Sequence, residues 1–184
     1  MERYKKLGET LAYKSKLVEI YEDHLELPNG KQVVYDLIKH SGGAAVLPID
    51  EEGNLVLIRQ YRNSVDDEVY EIPAGLREQD DITGERCARR ELEEETGYQA
   101  EKVEFIAQAY GIIGISNEKT DIFIAEHLIP CKRHLDPEEF IEVYHIPLQK
   151  AVQMIQNREI IDAKTIIAIY YYQSKCLQEV HPSE

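Results

Sequence analysis

Cysteine is scarce in this chain and poorly placed for its structural uses. Cys87, Cys131 and Cys176 are odd in number and form no CxxC pair. They read as reduced thiols, and the opening MERYKKLGET lacks the apolar stretch of a signal peptide. A cytoplasmic protein is therefore expected. The 6 histidines are scattered without zinc-type spacing, which removes the usual imidazole metal site. The longest apolar run, TIIAIYYYQ, is too short to span a bilayer. There is no internal repeat and no low-complexity segment. Positive charge is also in short supply, since 21 Lys and Arg face 35 Asp and Glu, for a net charge of −14. A surface this acidic excludes general binding to nucleic acid or an anionic membrane. An anionic substrate would need local arginines or bound cations.

What the chain does have is ordinary globular sequence enough for one domain, or one domain plus an appendage: 184 residues, of which 43% are hydrophobic. Residues 1–40 form an N-terminal strand region. Apolar and polar residues alternate on both sides of Asn29-Gly30, a dipeptide that tolerates positive φ and favours a hairpin turn. Residues 41–184 form the second part. Two apolar runs around Asp50–Asn54 predict a second hairpin, and DEVYEIP a short strand ending at Pro73. AGLREQDDITG has the composition of a loop. A helix follows over 84–96, with Thr83 as N-cap and Gly97 as its stop. Strands are expected at KVEFIAQAY, TDIFIAEHL and EFIEVYHI. Helices are expected after Pro147 and from Asp162 through KTIIAIYYYQSKCLQ. This order suggests an α/β fold, a mixed sheet covered by helices.

The segment ARRELEEETGY carries four glutamates in the five positions 91–95. Taken alone, such a run reads as a solvated helix face. Its phase argues otherwise. With Glu91 at zero, Glu95 lies at about 40° and Glu94 at about −60°, while Ala88 and Leu92 follow at about 60° and 100°. Glu93 points away. Three carboxylates thus share a face beside the apolar stripe, where like charges repel. Hard divalent cations bound through oxygen would reverse that repulsion.

The segment resembles the box of the Nudix hydrolases, G-x5-E-x7-R-E-U-x-E-E-x-G-U, where U is a bulky apolar residue. Gly75 opens it. Arg90, Glu91, Leu92, Glu94, Glu95, Gly97 and Tyr98 fill its second half without a gap. The first half is one residue too long. The expected glutamate falls on Asp81 counted forward and on Ile82 counted back, so either Asp81 or Glu85 replaces it or its role is lost. RQYR at 59–62, EIPAGL at 71–76, GISNEKTDIFIA, LDPEEFIEVYHIPLQKAV and IIDAKT are similar to the ADP-ribose pyrophosphatase branch.

The resemblance implies an α/β/α sandwich with N-terminal antiparallel strands that pair in a homodimer. It implies Mg²⁺, with Mn²⁺ as a substitute. Glu91 and Glu95 would be metal ligands, Glu94 a ligand or an outer partner, and the Ala74 carbonyl a further ligand. Arg90 would orient the glutamates. Arg62 would contact the diphosphate, with Arg59 counted beside it as substrate-binding. Tyr35 would stack on the base, and Glu118 would be the general base. Ile112-Ile113-Gly114 stands where much of the branch has Ser-Pro-Gly. The implied reaction is hydrolysis of a nucleoside diphosphate sugar, ADP-ribose first, giving AMP and ribose 5-phosphate. The alternatives are a GDP-sugar such as GDP-mannose, and a catalytically silent nucleotide-sensing module.

Overall fold

The computed structural model describes residues 3–15, 18–135 and 137–180. The chain divides into two compact units, one of residues up to 42 together with 110–119, the other of 43–109 together with 120 onward.

In the first unit β1 (Lys5–Lys14), β2 (Glu19–Glu26) and β3 (Gln32–Lys39) form an antiparallel sheet in that order. The β2–β3 turn is at Asn29-Gly30, but only Gly30 takes positive φ, at 79°. Gly30 N donates to Leu27 O at 2.9 Å, and Asn29 Oδ1 accepts from Lys31 N at 3.0 Å. Asn29 therefore serves through its side chain, and glycine alone takes the left-handed position. The segment 110–119 joins β3, where Ile38 N donates to Ile115 O at 2.7 Å. Every residue of β1 is exposed.

The second unit contains β4 (Gly43–Pro48), β5 (Asn54–Arg62), β6 (Asp67–Glu71), β7 (Ala74–Leu76), α1 (Gly84–Thr96), β8 (Tyr98–Tyr110), β9 (Lys119–Pro130), β10 (Ile141–Pro147), α2 (Leu148–Gln156) and α3 (Ala163–Val180). One sheet has the order β7-β4-β9-β8, with β4 and β9 parallel; the other is antiparallel, β10-β5-β6.

All of β4 is buried, as a parallel strand covered on both faces should be. Its alternation sorts two cores. Ala45 and Leu47, with Ile122 and Ile124 of β9, pack with Ala168 and Ile169 of α3. Ala44 and Val46, with Phe123 and Ala125, pack with Cys87, Ala88 and Leu92 of α1. Helices thus flank a mixed sheet, the expected α/β/α sandwich.

Helix α1 begins and ends where expected. Thr83 Oγ1 accepts from Arg86 N at 3.2 Å, and Gly97 is left-handed at φ 75°. The stretch after Pro73 is not wholly loop, because 74–76 pair with β4. A strand of three residues is too short to show a period of two. Strand β10 begins at Ile141, two residues later than EFIEVYHI suggests, which leaves Glu139 outside it.

Candidate active site

The site is built on α1 where it faces β7. Glu91 and Glu95 lie beside the apolar stripe and are almost wholly buried, 8% and 3% exposed. Glu94, one turn from Arg90, keeps 37% of its side chain exposed. Gly75 lets this packing happen, since any side chain there would run into the Glu91 carboxylate. Ala74 N donates to Glu95 Oε2 at 2.9 Å.

Burial dominates the acidity of both residues. It raises Glu91 to about 7, against the pull of Arg90, with the charges of Glu94 and Glu139 adding to the rise. Burial and then the Glu91 charge raise Glu95 to about 8, against the Ala74 amide, with Glu139 again contributing. Two carboxylates poised to hold protons near neutrality form an electrostatic deficit that a cation would relieve.

Arg90 holds the cluster from one side. Its guanidinium reaches Glu91 Oε1 and Glu94 Oε2, each at 2.7 Å, and Asp81 Oδ2 at 2.9 Å. It also donates to Leu76 O at 2.9 Å. The irregular first half of the box resolves here. Asp81 is buried and accepts from both Arg90 and Glu78 N. Burial would raise its pKa, but Arg90 and the Glu78 amide hold it below the usual carboxylate range. Glu85 pairs instead with Arg89 at 2.9 Å on the exposed side, and Ile82 is 83% exposed. Asp81 is the acid that turns inward.

A cleft of about 480 Å³ collects Glu91, Glu94, Glu95, Arg90, Ala74 and Arg62. Arg62 is clamped there by Glu71, with Nε to Oε1 at 2.6 Å and Nη2 to Oε2 at 3.0 Å. Arg59 is not part of this lining. Three residues along a strand reverse the face, and Arg59 pairs with Glu68 at 2.6 Å and lies 5.6 Å from the Tyr70 ring. Tyr35 and Glu118 belong to the first unit. Tyr35 is exposed on β3, and Glu118 has the His40 imidazole 3.9 Å away.

Glu139 was missed by the sequence reading. It lines the same cleft, and its charge reaches both Glu91 and Glu95. Its signal was present: Pro137 opens a turn just before β10, and a loop glutamate at a strand start is well placed to face a site.

Among the described residues no three His, Cys, Asp or Glu side chains converge as a ready-made metal cage. Glu91 and Glu94 are turned onto Arg90 instead. The donor set still suits a hard divalent cation: carboxylate oxygens, raised acidities, and the Gly75 cradle that a side chain would fill.

A mixed sheet between helices thus carries one cleft that gathers buried carboxylates and clamped arginines. Residues 39–167 match the NUDIX domain, and the chain belongs to that family, whose hydrolases act on diphosphate bonds and generally need a divalent metal. The ADP-ribose pyrophosphatase of Bacillus subtilis (strain 168) is 39% identical over 173 residues, 93% of each chain. The methanol dehydrogenase activator of Bacillus methanolicus is 34% identical over 163 residues, 88% of each. A crystal structure of an ADP compounds hydrolase superposes with a TM-score of 0.88, covering 97% of each chain at 21% identity.

The buried acids predict a specific pH response. From their ordinary 4.5 up to about 7 and 8, Glu91 and Glu95 hold protons when folded that the unfolded chain has lost. Folding stability of the metal-free protein therefore falls as pH rises through that window. Glu95→Gln keeps an acceptor for Ala74 N but removes one of the two acids. It should flatten the decline in thermal midpoint between pH 5 and 8 and abolish most activity. A variant with the native pH slope would contradict this account.

Proposed function

We propose that this chain hydrolyses the diphosphate bond of ADP-ribose, giving AMP and ribose 5-phosphate, with Mg²⁺ as its metal and Mn²⁺ as a substitute. The observation that carries the reading is the cleft in which three helix carboxylates and Arg62 face one space. The 39% identical ADP-ribose pyrophosphatase supports the choice of substrate. The buried acids argue against a silent sensing module, because an apolar or neutral helix face would hold a nucleotide at less electrostatic cost.

A bound divalent cation would supply charge neutralisation for the diphosphate oxygens and activation of the attacking water. Glu91, Glu95, Glu94 and the Ala74 carbonyl would hold it. Arg90 and Asp81 set the orientation of the helix carboxylates. Arg62 engages the diphosphate and draws its charge to the mouth of the cleft. The water oxygen bonds to one phosphorus, the bridging P–O bond breaks, and the water's proton passes to a nearby carboxylate. Arg59, outside this cleft, takes no part in the step. Tyr35 is the residue proposed to stack on the base.

Two glutamates outside α1 compete for the proton. Glu118 is the one the branch resemblance implies. Glu139 is favoured by position, since it lines the cleft with the other acids. Glu139→Gln should lower kcat roughly 10²–10⁴-fold with little change in KM, and Glu118→Gln should do so only if the assignment is reversed. Steady-state kinetics on both variants decides it. The substrate itself is tested with a panel of nucleoside diphosphate sugars, GDP-mannose included, with products identified by mass. Preference for a GDP-sugar, or no turnover with any of them, would overturn the ADP-ribose reading.

We further propose a homodimer through the N-terminal strands, and a cytoplasmic location suited to the three free thiols. Support for the dimer comes from β1, whose residues are all exposed and include Leu7, Leu11 and Tyr13 as large apolar side chains. Such a strand lacks cover on either face. Sedimentation at assay concentration should give twice the chain mass. Deleting residues 1–38 should give a monomer with no substrate binding; a native monomer with full activity would sink the idea.

A further inference from the structure

Behind Arg62, away from the helix carboxylates, lies a second polar network that the reaction as described does not use. Lys164, at the start of α3, is among the most buried cations of the chain, its side chain 19% exposed. Its Nζ donates to Glu71 Oε2 at 2.5 Å and to Asp162 Oδ1 at 2.9 Å. Glu71, only 3% exposed, is therefore shared between two cations, Lys164 on one side and Arg62 on the other. The second oxygen of Asp162 is occupied at the helix start, accepting from Thr165 N at 2.9 Å and Thr165 Oγ1 at 2.6 Å. Thr165 Oγ1 in turn accepts from Ile72 N at 2.9 Å, which ties α3 to the strand end that carries Glu71.

The charges of this network explain its shape. A carboxylate that gripped Arg62 alone would hold the guanidinium in place but cancel its charge toward the cleft. A second buried cation on the same carboxylate offsets that cancellation. Asp162 does not undo the effect in full, because its second oxygen is taken by the Thr165 amide and hydroxyl at the start of the 18-residue helix.

We infer that Lys164 is a positioning residue for diphosphate recognition, acting through Glu71 to keep Arg62 both fixed in direction and electrostatically free to meet an anion. The inference rests on the proposed diphosphate chemistry and deepens it. A purely structural role for Lys164 would lower stability and leave ligand affinity in the folded protein unchanged. A positioning role makes the effects of Lys164 and Arg62 depend on each other.

The test is a double-mutant cycle on the full chain, using Lys164→Met, Arg62→Ala and the pair. Kinetics with ADP-ribose and Mg²⁺ give KM and kcat, and calorimetry with inorganic pyrophosphate and Mg²⁺ gives an affinity that needs no turnover. Lys164→Met should raise KM and weaken pyrophosphate binding about tenfold, with kcat within about a factor of three, as expected for lost ground-state binding. In the Arg62→Ala background it should change neither, and Lys164→Arg should restore part of the affinity. Additive effects, or native affinity in a folded Lys164→Met protein, would overturn the inference. If Lys164→Met does not fold, Thr165→Val, which loosens Asp162 and α3 while keeping every charge, serves in its place. It should weaken pyrophosphate binding only when Arg62 is present, and equal effects in both backgrounds would overturn the inference. A native protein that hydrolyses no diphosphate sugar refutes the proposed activity, while the pyrophosphate titrations still decide the role of Lys164.

Discussion

The whole site depends on burying like charges side by side. Glu91 and Glu95 lie one helical turn apart, nearly out of reach of water, on the edge of the stripe that anchors α1 to the sheet. The apolar contact of the helix with the sheet is made by Leu92, Ala88 and Cys87. Burial of the two glutamates raises the free energy of the folded state, and the surrounding structure limits the damage with Arg90, the Ala74 amide and a glycine that makes room. The fold accepts this cost along the cleft that these carboxylates line.

Positive charge is arranged with the same economy. In a chain of net charge −14, the guanidinium groups at the cleft are each held by specific acids. Arg90 spans three carboxylates, and Arg62 is gripped by one that Lys164 also neutralises. These groups are oriented before any ligand arrives, so little side-chain entropy remains to be lost on binding.

Much of this was legible in the residues. The phase of ARRELEEETGY placed three carboxylates beside the apolar edge, and Thr83 and Gly97 marked the helix ends. Alternation gave most of the strands, but the hairpin expected around Asp50–Asn54 is not a paired one: β4 and β5 lie in different sheets, linked there by a single bridge between Ile49 and Leu55, because β4 is buried between β7 and β9 instead. Other features were hidden for physical reasons. The three residues of β7 are too few to carry a period. Whether Asp81 or Glu85 faces inward depends on how a loop of irregular length closes, which spacing does not report. Arg59 and Arg62 look equivalent in RQYR, yet strand geometry turns them to opposite faces. Glu139 comes to the cleft from a loop far along the chain, and the turn at Pro137 marks that loop without telling which cleft it meets.

Helix α1 runs into β8 with Gly97 as the only residue between them. Gly97 N donates back to Glu93 O at 3.0 Å, and Gly97 O accepts from Cys131 N at 2.8 Å. The helix end that carries Glu94 and Glu95 is thus joined to β8 by the chain itself and to Cys131, just past β9, by a hydrogen bond. The freedom left at this end lies in rotation about the side-chain bonds of the carboxylates and of Arg90, so the helix is the bench and the side chains are the tools on it.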